Sequence, residues 1–359
     1  MSRRRFVQLL AGFADGDAIS NESRSLHGYV QQLGYEAQIY VADGRIAPTM
    51  ESQCRPLSAY SPERDDVLLH HYAVSSPATE RFLAASGRKI LLYHNITPPE
   101  FFRGYDDELA GRLTEARAGL RDVASACSAL WADSQFDADE LTALGLPGVR
   151  VLPLIFSPSQ FDVPADARVR GLFAEPMRNI LFVGRMAPNK CVEELIEAFA
   201  WYRTSCNRRS RLLIVGSKHS APRYYAMLRM FAAELDLENV HFEGFASEAG
   251  LSAYYEVADL FVCPSRHEGY CLPLVEAMFK GVPVIARATG GTPEAMGGAG
   301  VLYEDLSPAM LAELMHRTLE DGALHAEVLA SQQRRADALR ARQPMAEVKR
   351  LLDEALARG

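Results

Sequence analysis

The densest run of residues able to do chemistry is Arg266-His267-Glu268-Gly269-Tyr270-Cys271-Leu272-Pro273-Leu274-Val275-Glu276-Ala277. It follows an apolar stretch, 260–263, that reads as a buried strand. Pro273 marks the first turn of a helix, where a missing N–H costs nothing. Free N–H groups at such a helix start, together with the helix dipole, favour a phosphate or another anion. Glu268 and Glu276 would bracket that anion, placed to accept hydrogen bonds from ligand hydroxyls. Taken alone, the two glutamates fit a solvated loop residue and a residue favoured by the helix dipole better than a ligand site. The second run is Phe182-Val183-Gly184-Arg185-Met186-Ala187-Pro188-Asn189-Lys190. Gly184 lets the chain leave a strand tightly, and Arg185 and Lys190 bring two cations to the same strand end. Arginine grips phosphate oxygens bidentately and lysine adds a point charge, so the pair could neutralise a diphosphate.

These residues need elements to hold them. In the first half, short apolar runs at 5–11, 37–41, 66–71, 89–93, 129–132 and 149–152 read as strands, with helical patterns at 22–33, 77–85, 107–126 and 135–144. In the second half, strands fit 179–183, 211–215, 240–243, 260–263, 282–286 and 300–303, and helices fit 191–203, 222–235, 248–256, 273–279 and 308–320. Strands alternating with helices of this length predict parallel sheets covered on both faces, and two such sets predict two doubly wound domains. The expected division is an N-terminal domain over 1–160, a C-terminal domain over 161–340 and a last helix over 341–359, with the boundary in the Ser- and Pro-containing stretch 157–176. In open parallel sheets ligands sit beyond the carboxyl ends of the strands, so the chemistry is expected in loops that follow strands.

Composition narrows the class. The chain has 359 residues, 48% of them hydrophobic and 23% charged, which is ordinary for globular proteins and long enough for two cores. The net charge of −8 argues against a broad basic surface for nucleic acid. Six cysteines without a CxxC pair read as reduced thiols of a cytoplasmic protein rather than a disulfide framework or zinc site. Residues 2–7 look superficially like a twin-arginine export signal, but Gln8, Asp15 and Asp17 break the apolar stretch, which reads as a first buried strand. No run reaches the ~20 apolar residues of a membrane span.

Together the two runs resemble the retaining family 4 glycosyltransferases of the GT-B fold. The matching residues are Gly184-Arg185…Lys190, Glu268 and Glu276 with Gly269 and Pro273-Leu274 between them, Gly290-Gly291-Thr292-Pro293-Glu294, and Phe242-Glu243-Gly244-Phe245. The likeness covers nearly all of 179–305. It is weaker upstream, where it persists in Gly12…Gly16-Asp17-Ala18, Tyr93-His94-Asn95 and Asp133-Ser134-Gln135-Phe136. The resemblance implies an α/β protein of two facing Rossmann-like domains with a cleft between them, and a nucleotide-sugar donor held mostly by the second. It implies that Arg185 and Lys190 hold the diphosphate, Glu276 the ribose hydroxyls and Glu268 the transferred hexose. Gly16, Gly184 and the amides of Gly269, Tyr270, Cys271 and Leu272 would also contact the donor. His94, at a strand end, is a structural hydrogen-bonder on its own reading and a catalytic neighbour of the transferred sugar by resemblance. His70 and His71 fit either an acceptor face or tight packing, and Phe101 and Phe102 either core or an exposed contact.

By the same resemblance the reaction is metal-independent retaining transfer of a hexose by front-face attack, with Glu268, His94, Arg185 and Lys190 as catalytic residues and no cofactor. Asp15-Gly16-Asp17 has the letters of a metal-binding DxD but sits in a glycine-containing loop. GDP-mannose or a related GDP-hexose is the favoured donor, with UDP-sugars next. The acceptor would be a glycan or lipid-linked saccharide of surface polysaccharide or lipopolysaccharide synthesis, which leaves peripheral contact at the inner membrane face open. Arg203, Arg208, Arg209 and Arg211 are a weak candidate for such contact. A dehydrogenase is disfavoured because no G-x-G-x-x-G joins a first strand to a helix. A non-catalytic nucleotide-sugar-binding protein is the rival from another class.

Overall fold

The computed structural model describes residues 4–156 and 162–357. Ser2 and Arg3 of the arginine-rich start, and residues 157–161 of the expected boundary, lie outside them. The chain divides into two compact units: Met1–Glu100, Glu108–Ser157 and Gln343–Gly359 form the first, and Phe101–Asp107 and Pro158–Arg342 the second.

In the first unit the strands are β1 (Arg5–Leu10), β2 (Glu36–Val41), β3 (Arg55–Pro56), β4 (Val67–Tyr72), β5 (Arg88–Tyr93), β6 (Ala129–Ala132) and β7 (Arg150–Val151), with helices α1 (Ala18–Gln32), α2 (Pro77–Ala84), α3 (Asp107–Ser125) and α4 (Gln135–Ala143). In the second unit α5 (Ala167–Leu172) precedes β8 (Arg178–Val183), α6 (Val192–Ser205), β9 (Ser210–Val215), α7 (Pro222–Glu234), β10 (Val240–Gly244), α8 (Glu248–Val257) and β11 (Leu260–Cys263). There follow α9 (Leu272–Phe279), β12 (Val284–Arg287), α10 (Thr292–Met296), β13 (Val301–Tyr303), α11 (Pro308–Glu320) and α12 (Gly322–Arg340), before α13 (Pro344–Ala357) ends the described chain.

Each unit is one sheet in which neighbouring strands run parallel. The orders are β3-β2-β1-β4-β5-β6-β7 and β10-β9-β8-β11-β12-β13. Strand order reverses between β1 and β4 in the first sheet and between β8 and β11 in the second, and such switch points are where open α/β sheets bind ligands. The central strands are buried on both faces, which is why β4 and β9 read as near-continuous apolar runs without alternation.

The helices begin where the sequence provides caps. Asp17, Ser247 and Ser307 accept backbone N–H groups at the starts of α1, α8 and α11. The Asp17 cap starts α1 four residues earlier than the apolar pattern alone suggests, at Ala18 rather than 22. α5, α12 and β3 lack a strong period and were not expected. α12 is anchored through Gln332, which accepts from Val284 N and donates to Val282 O, both at 2.8 Å.

Two stretches depart from a simple cut of the chain. Phe101–Asp107 belongs to the second unit: the Tyr105 ring meets Tyr224 edge-on at 5.4 Å, and Arg223 donates to Gly104 O at 3.2 Å. Of the aromatic pair there, Phe102 is buried. α13 belongs to the first unit, where Val348, Leu351, Leu352 and Ala355 join Phe6, Leu26, Val30 and Trp131 in one core. The arginine patch also needs correction. Arg211 is buried, donating to Asn179 Oδ1 at 2.6 Å and to the carbonyls of Phe173 and Glu175, because it begins a central strand rather than a solvated face.

In the second unit the loops at the carboxyl ends of the strands are pinned to one another through backbone. Gly184 N donates to Val215 O and Gly216 N to Gly244 O. Gly216 has φ +148°, and a Cβ there would stand 1.9 Å from Gly184 O. Gly216→Ala is therefore expected to force the β8 and β9 ends apart, at a cost of at least ~2 kcal/mol. Calorimetry should show the midpoint of the second unit falling by about 5 °C or more. An unchanged midpoint would overturn this account of the contact.

Candidate functional site

The second unit gathers Gly184, Arg185 and Lys190 on the loop after β8, and Glu268, Gly269, Tyr270, Cys271, Leu272 and Glu276 on the loop after β11 and the first turns of α9. The two loops flank the switch point and are tied directly. Arg266 N donates to Asn189 O at 3.0 Å, and Asn189 Nδ2 donates to His267 O at 3.1 Å. The loop after β12 closes the other side, with Gly291 N donating to Glu268 O at 2.9 Å and Thr289 Oγ1 to Arg266 O at 2.9 Å. A Cβ on Gly291 would lie 1.8 Å from Gly269 O, so the backbones approach as closely as they do only because no side chain stands between them.

This frame sets Lys190 against Glu268. Lys190 Nζ donates to both carboxylate oxygens at 2.7 Å, with side chains only 15% and 7% exposed. Burial disfavours both charges, yet each partner holds the other ionised. The Glu268 carboxyl stays below its usual range under the ammonium and a hydrogen bond from Ser265, and the Lys190 ammonium stays above its own. Arg185 is exposed and forms no hydrogen bond or ion pair among the described residues, so one cation beside the pair is uncommitted. At the start of α9, Cys271 (φ +76°) gives no side-chain cap, leaving the N–H groups of the first turn without one. Glu276 accepts from Tyr255 Oη at 2.7 Å, and burial raises its carboxyl above the usual value against that hydrogen bond. Tyr270 is buried with its hydroxyl on Arg335, so what it can offer a ligand is backbone.

Gly16 and His94 belong to the first unit. Gly16 (φ +70°) is exposed in the turn before the Asp17 cap of α1. His94 follows β5, and its imidazole, 2% exposed, has both nitrogens engaged. Nδ1 lies 2.6 Å from Asp133 Oδ2 and Nε2 lies 2.7 Å from His71 Nδ1. What His94 exposes is its main chain. The proton positions follow from the far end of this chain of bonds. Ser23 O can only accept, so it takes Gln8 Nε2–H at 3.0 Å; Gln8 Oε1 then faces His71 Nε2 at 2.8 Å, which must donate. A neutral His71 accepts at Nδ1, His94 donates at Nε2, and one proton remains for His94 Nδ1 and Asp133 to share. His70 is packed, with Nδ1 on Leu9 O and Nε2 on Thr79 Oγ1, both at 3.0 Å, and burial depresses it to about 4.

Comparison with known proteins shows what this part of the chain is similar to. Residues 177–321, the segment holding both loops, match the model of the glycosyl transferases group 1. Over that segment the chain is similar to that family. Among relatives is a D-inositol 3-phosphate glycosyltransferase of Jonesia denitrificans, 28% identical over 313 residues, which are 82% of this chain and 72% of the relative. One from Kineococcus radiotolerans is 32% identical over 195 residues, and there the match spans only 42% of the relative's length. Among solved structures, a sucrose-phosphate synthase from Thermosynechococcus elongatus superposes with TM-score 0.77 at 19% identity, covering 99% of this chain and 100% of that one. HepE of Anabaena, solved with UDP and glucose, gives 0.73 at 19% identity, over 98% and 99% of the two chains. The fold is α/β of the GT-B type.

Several residues near these candidates left no mark in the sequence reading. Tyr255 reaches Glu276 from α8 and Ser265 reaches Glu268 within its own loop, and an isolated Tyr or Ser carries no such signal. Asp137 lies beside His94 and Asp133; it takes Asn95 Nδ2 at 2.7 Å, and Asn95 holds φ +66°. Burial first, then the Asp133 charge, pushes the Asp137 carboxyl up to about 8. A raised native value means that the folded chain keeps a proton the unfolded chain releases from about pH 4 upward, so this group's contribution declines as pH rises to about 8. Asp137→Asn removes that dependence, and its unfolding midpoint should gain on the wild type steadily between pH 5 and 8. A difference that stays constant over that range would refute the assignment.

Proposed function

We propose that this chain is a retaining hexosyltransferase that takes its sugar from a nucleoside diphosphate hexose and passes it to a glycan or lipid-linked saccharide, with no obligatory metal. The observation that carries the reading is the Lys190–Glu268 pair at the switch point, beside the exposed Arg185 and the uncapped first turn of α9. The pair works as a stored charge arrangement. When a diphosphate arrives, Lys190 exchanges a carboxylate for phosphate oxygens, and Glu268 exchanges an ammonium for sugar hydroxyls. Each charge keeps a partner throughout, so neither is stranded in a buried site. Arg185 and the α9 amides take the remaining phosphate charge, and Glu276, fixed by Tyr255, accepts from the ribose.

Front-face attack is the reading we favour. With the donor bound, the Glu268 oxygens accept from sugar hydroxyls, and a carboxylate so engaged is a poor nucleophile toward the anomeric carbon, which disfavours a covalent glycosyl intermediate. The departing phosphate oxygen instead takes the proton of the acceptor hydroxyl as that oxygen bonds to the anomeric carbon, and Lys190 and Arg185 stabilise the charge that grows on the leaving group. With both nitrogens committed, the His94 imidazole is a positioning group, and its exposed main chain is what faces a ligand.

The donor base is the finer question. GDP-mannose is the first donor to test, in line with the 27% identity over 159 residues to the serotype-specific mannosyltransferase WbdA of Escherichia coli, a match covering 44% of this chain and 19% of that one. A UDP-hexose is the second reading, favoured by the likeness to HepE, whose structures hold UDP and UDP-glucose. The loops 217–223 and 245–248 would read the base. An inositol phosphate acceptor, after the D-inositol 3-phosphate glycosyltransferases, belongs in the same screen. The described residues contain no helix long and apolar enough to cross a membrane.

The test is nucleotide release from each donor with EDTA present, with the anomeric configuration of the product read by NMR. Lys190→Ala should lower kcat/KM by at least ~100-fold, the scale of one lost transition-state donor, and Glu268→Gln should lower kcat more than it raises KM. Near-normal turnover in folded Lys190→Ala, or an inverted product, would sink the mechanism. No release from any donor by the folded wild type would sink the function.

A further inference from the structure

Beneath the Lys190–Glu268 pair lie two thiols that the proposed reaction does not use. Cys263 is the last residue of β11 and Cys271 directly precedes α9; both are buried, and their sulfurs are 3.7 Å apart. One carboxylate oxygen of Glu268 and both sulfurs all lie within 4.8 Å of one another. A tetrahedral zinc ion with Zn–S bonds of ~2.3 Å separates its two sulfurs by about 3.8 Å. The thiols therefore already stand at the spacing of a zinc dithiolate, with a carboxylate in reach for the third position.

We propose that Cys263, Cys271 and Glu268 form a site for a thiophilic divalent cation such as Zn²⁺, which binds in competition with the Lys190–Glu268 ion pair. Charge and protons balance without electron transfer. Before binding, two neutral thiols, one carboxylate and one ammonium sum to zero. Zinc forms two Zn–S bonds and one Zn–O bond, both thiol protons go to water, and two thiolates, one carboxylate, one ammonium and a dication again sum to zero. The 15% exposure of the Lys190 side chain marks the way in, and the fourth position, on that side, is left to water. The ligands are pre-positioned by the frame described above: β11 fixes Cys263, the left-handed Cys271 turns its sulfur back under the loop, and the Gly291 contact holds Glu268.

The consequence for turnover rests on the function proposed above: with Glu268 on the metal, the hexose loses its acceptor and Lys190 its resting partner, so zinc inhibits. Binding itself does not rest on that reading, and the experiment separates the two. The reduced full-length chain is titrated with Co²⁺, whose thiolate charge-transfer and tetrahedral visible bands report the ligands. One equivalent should give both bands, Cys263→Ala should bind at least ~10-fold more weakly, and Cys206→Ala should bind as the wild type does. Should Cys263→Ala fail to fold, Cys271→Ala serves instead, with Co²⁺ binding again expected to weaken at least ~10-fold. No bands in the reduced wild type, or undiminished bands in whichever cysteine variant folds, would overturn the site. A Cys263–Cys271 disulfide in the purified chain, with no bands after its reduction, would overturn it in favour of a redox pair. Bands together with a chain that releases nucleotide from no donor would uphold the site and remove the transferase reading.

Discussion

The second unit depends on how closely its strand-end loops can approach. Five loops leave the carboxyl edge of one sheet, and in strand order each is hydrogen-bonded to the next through main chain: Gly244 to Gly216, Val215 to Gly184, Asn189 to Arg266, and Glu268 to Gly291. At two of these junctions a single methyl group would fall within 2 Å of a carbonyl oxygen, at Gly216 and at Gly291. The opposition of Lys190 and Glu268 follows from this. A long lysine on one loop could not be held 2.7 Å from both oxygens of a carboxylate on another unless the backbones between them were already fixed. On the proposed function the arrangement would be electrostatic preorganisation of the kind that lowers barriers, because its dipoles and charges are oriented during folding rather than during reaction. The glycines contribute no chemistry of their own and permit all of it.

The first unit solves a different problem, that of keeping ionisable groups dry. Gln8, His71, His94 and Asp133 form a line of hydrogen bonds that ends at a backbone carbonyl and leaves one proton for its last pair. Burial depresses both histidines and raises Asp133, so the neutral forms are favoured along the whole line. Glu22 is drawn into the same cluster, 3.5 Å from His94 Nδ1, and accepts from Ile155 N at 3.1 Å. A network so fully engaged fixes the position of the β5 end more firmly than it offers a titratable group. That favours reading His94 as the residue that presents a rigid main chain.

How much of this was legible follows from what a linear pattern can encode. The strands of both sheets were, apart from the exposed edge strand β3, because burial on two faces writes itself as short apolar runs, and 308–320 coincides with α11 because Ser307-Pro308 marks its start. The loops after β8 and β11 were legible through glycine, proline and charge at strand ends. Their mutual hydrogen bonds were not, since Asn189 and Arg266 carry no sign of each other. α12 went unseen because a single glutamine, Gln332, does much of its anchoring and its buried positions are few. Arg211 misled for a related reason: arginine in a run of arginines suggests solvent, while its burial depends on the Phe173 ring and carbonyls about 40 residues away.

The same contrast explains why Lys190 and Glu268 looked like two independent recognition groups and are one. From sequence, a cation and an anion near a strand end suggest separate partners on a ligand. In the folded chain they are each other's partner, and burial makes that pairing costly to break from one side only. On the proposed function, a donor enters such a site at least cost when it satisfies both ends at once, offering anionic oxygens to the lysine and hydroxyl donors to the glutamate. Inorganic phosphate supplies the first alone and a free sugar the second alone, so each would strand the opposite charge. A sugar joined to a diphosphate supplies both in one molecule. If the pair holds the donor as proposed, selectivity for the intact donor over its fragments would be a consequence of the ion pair itself, before any contact to the base is made.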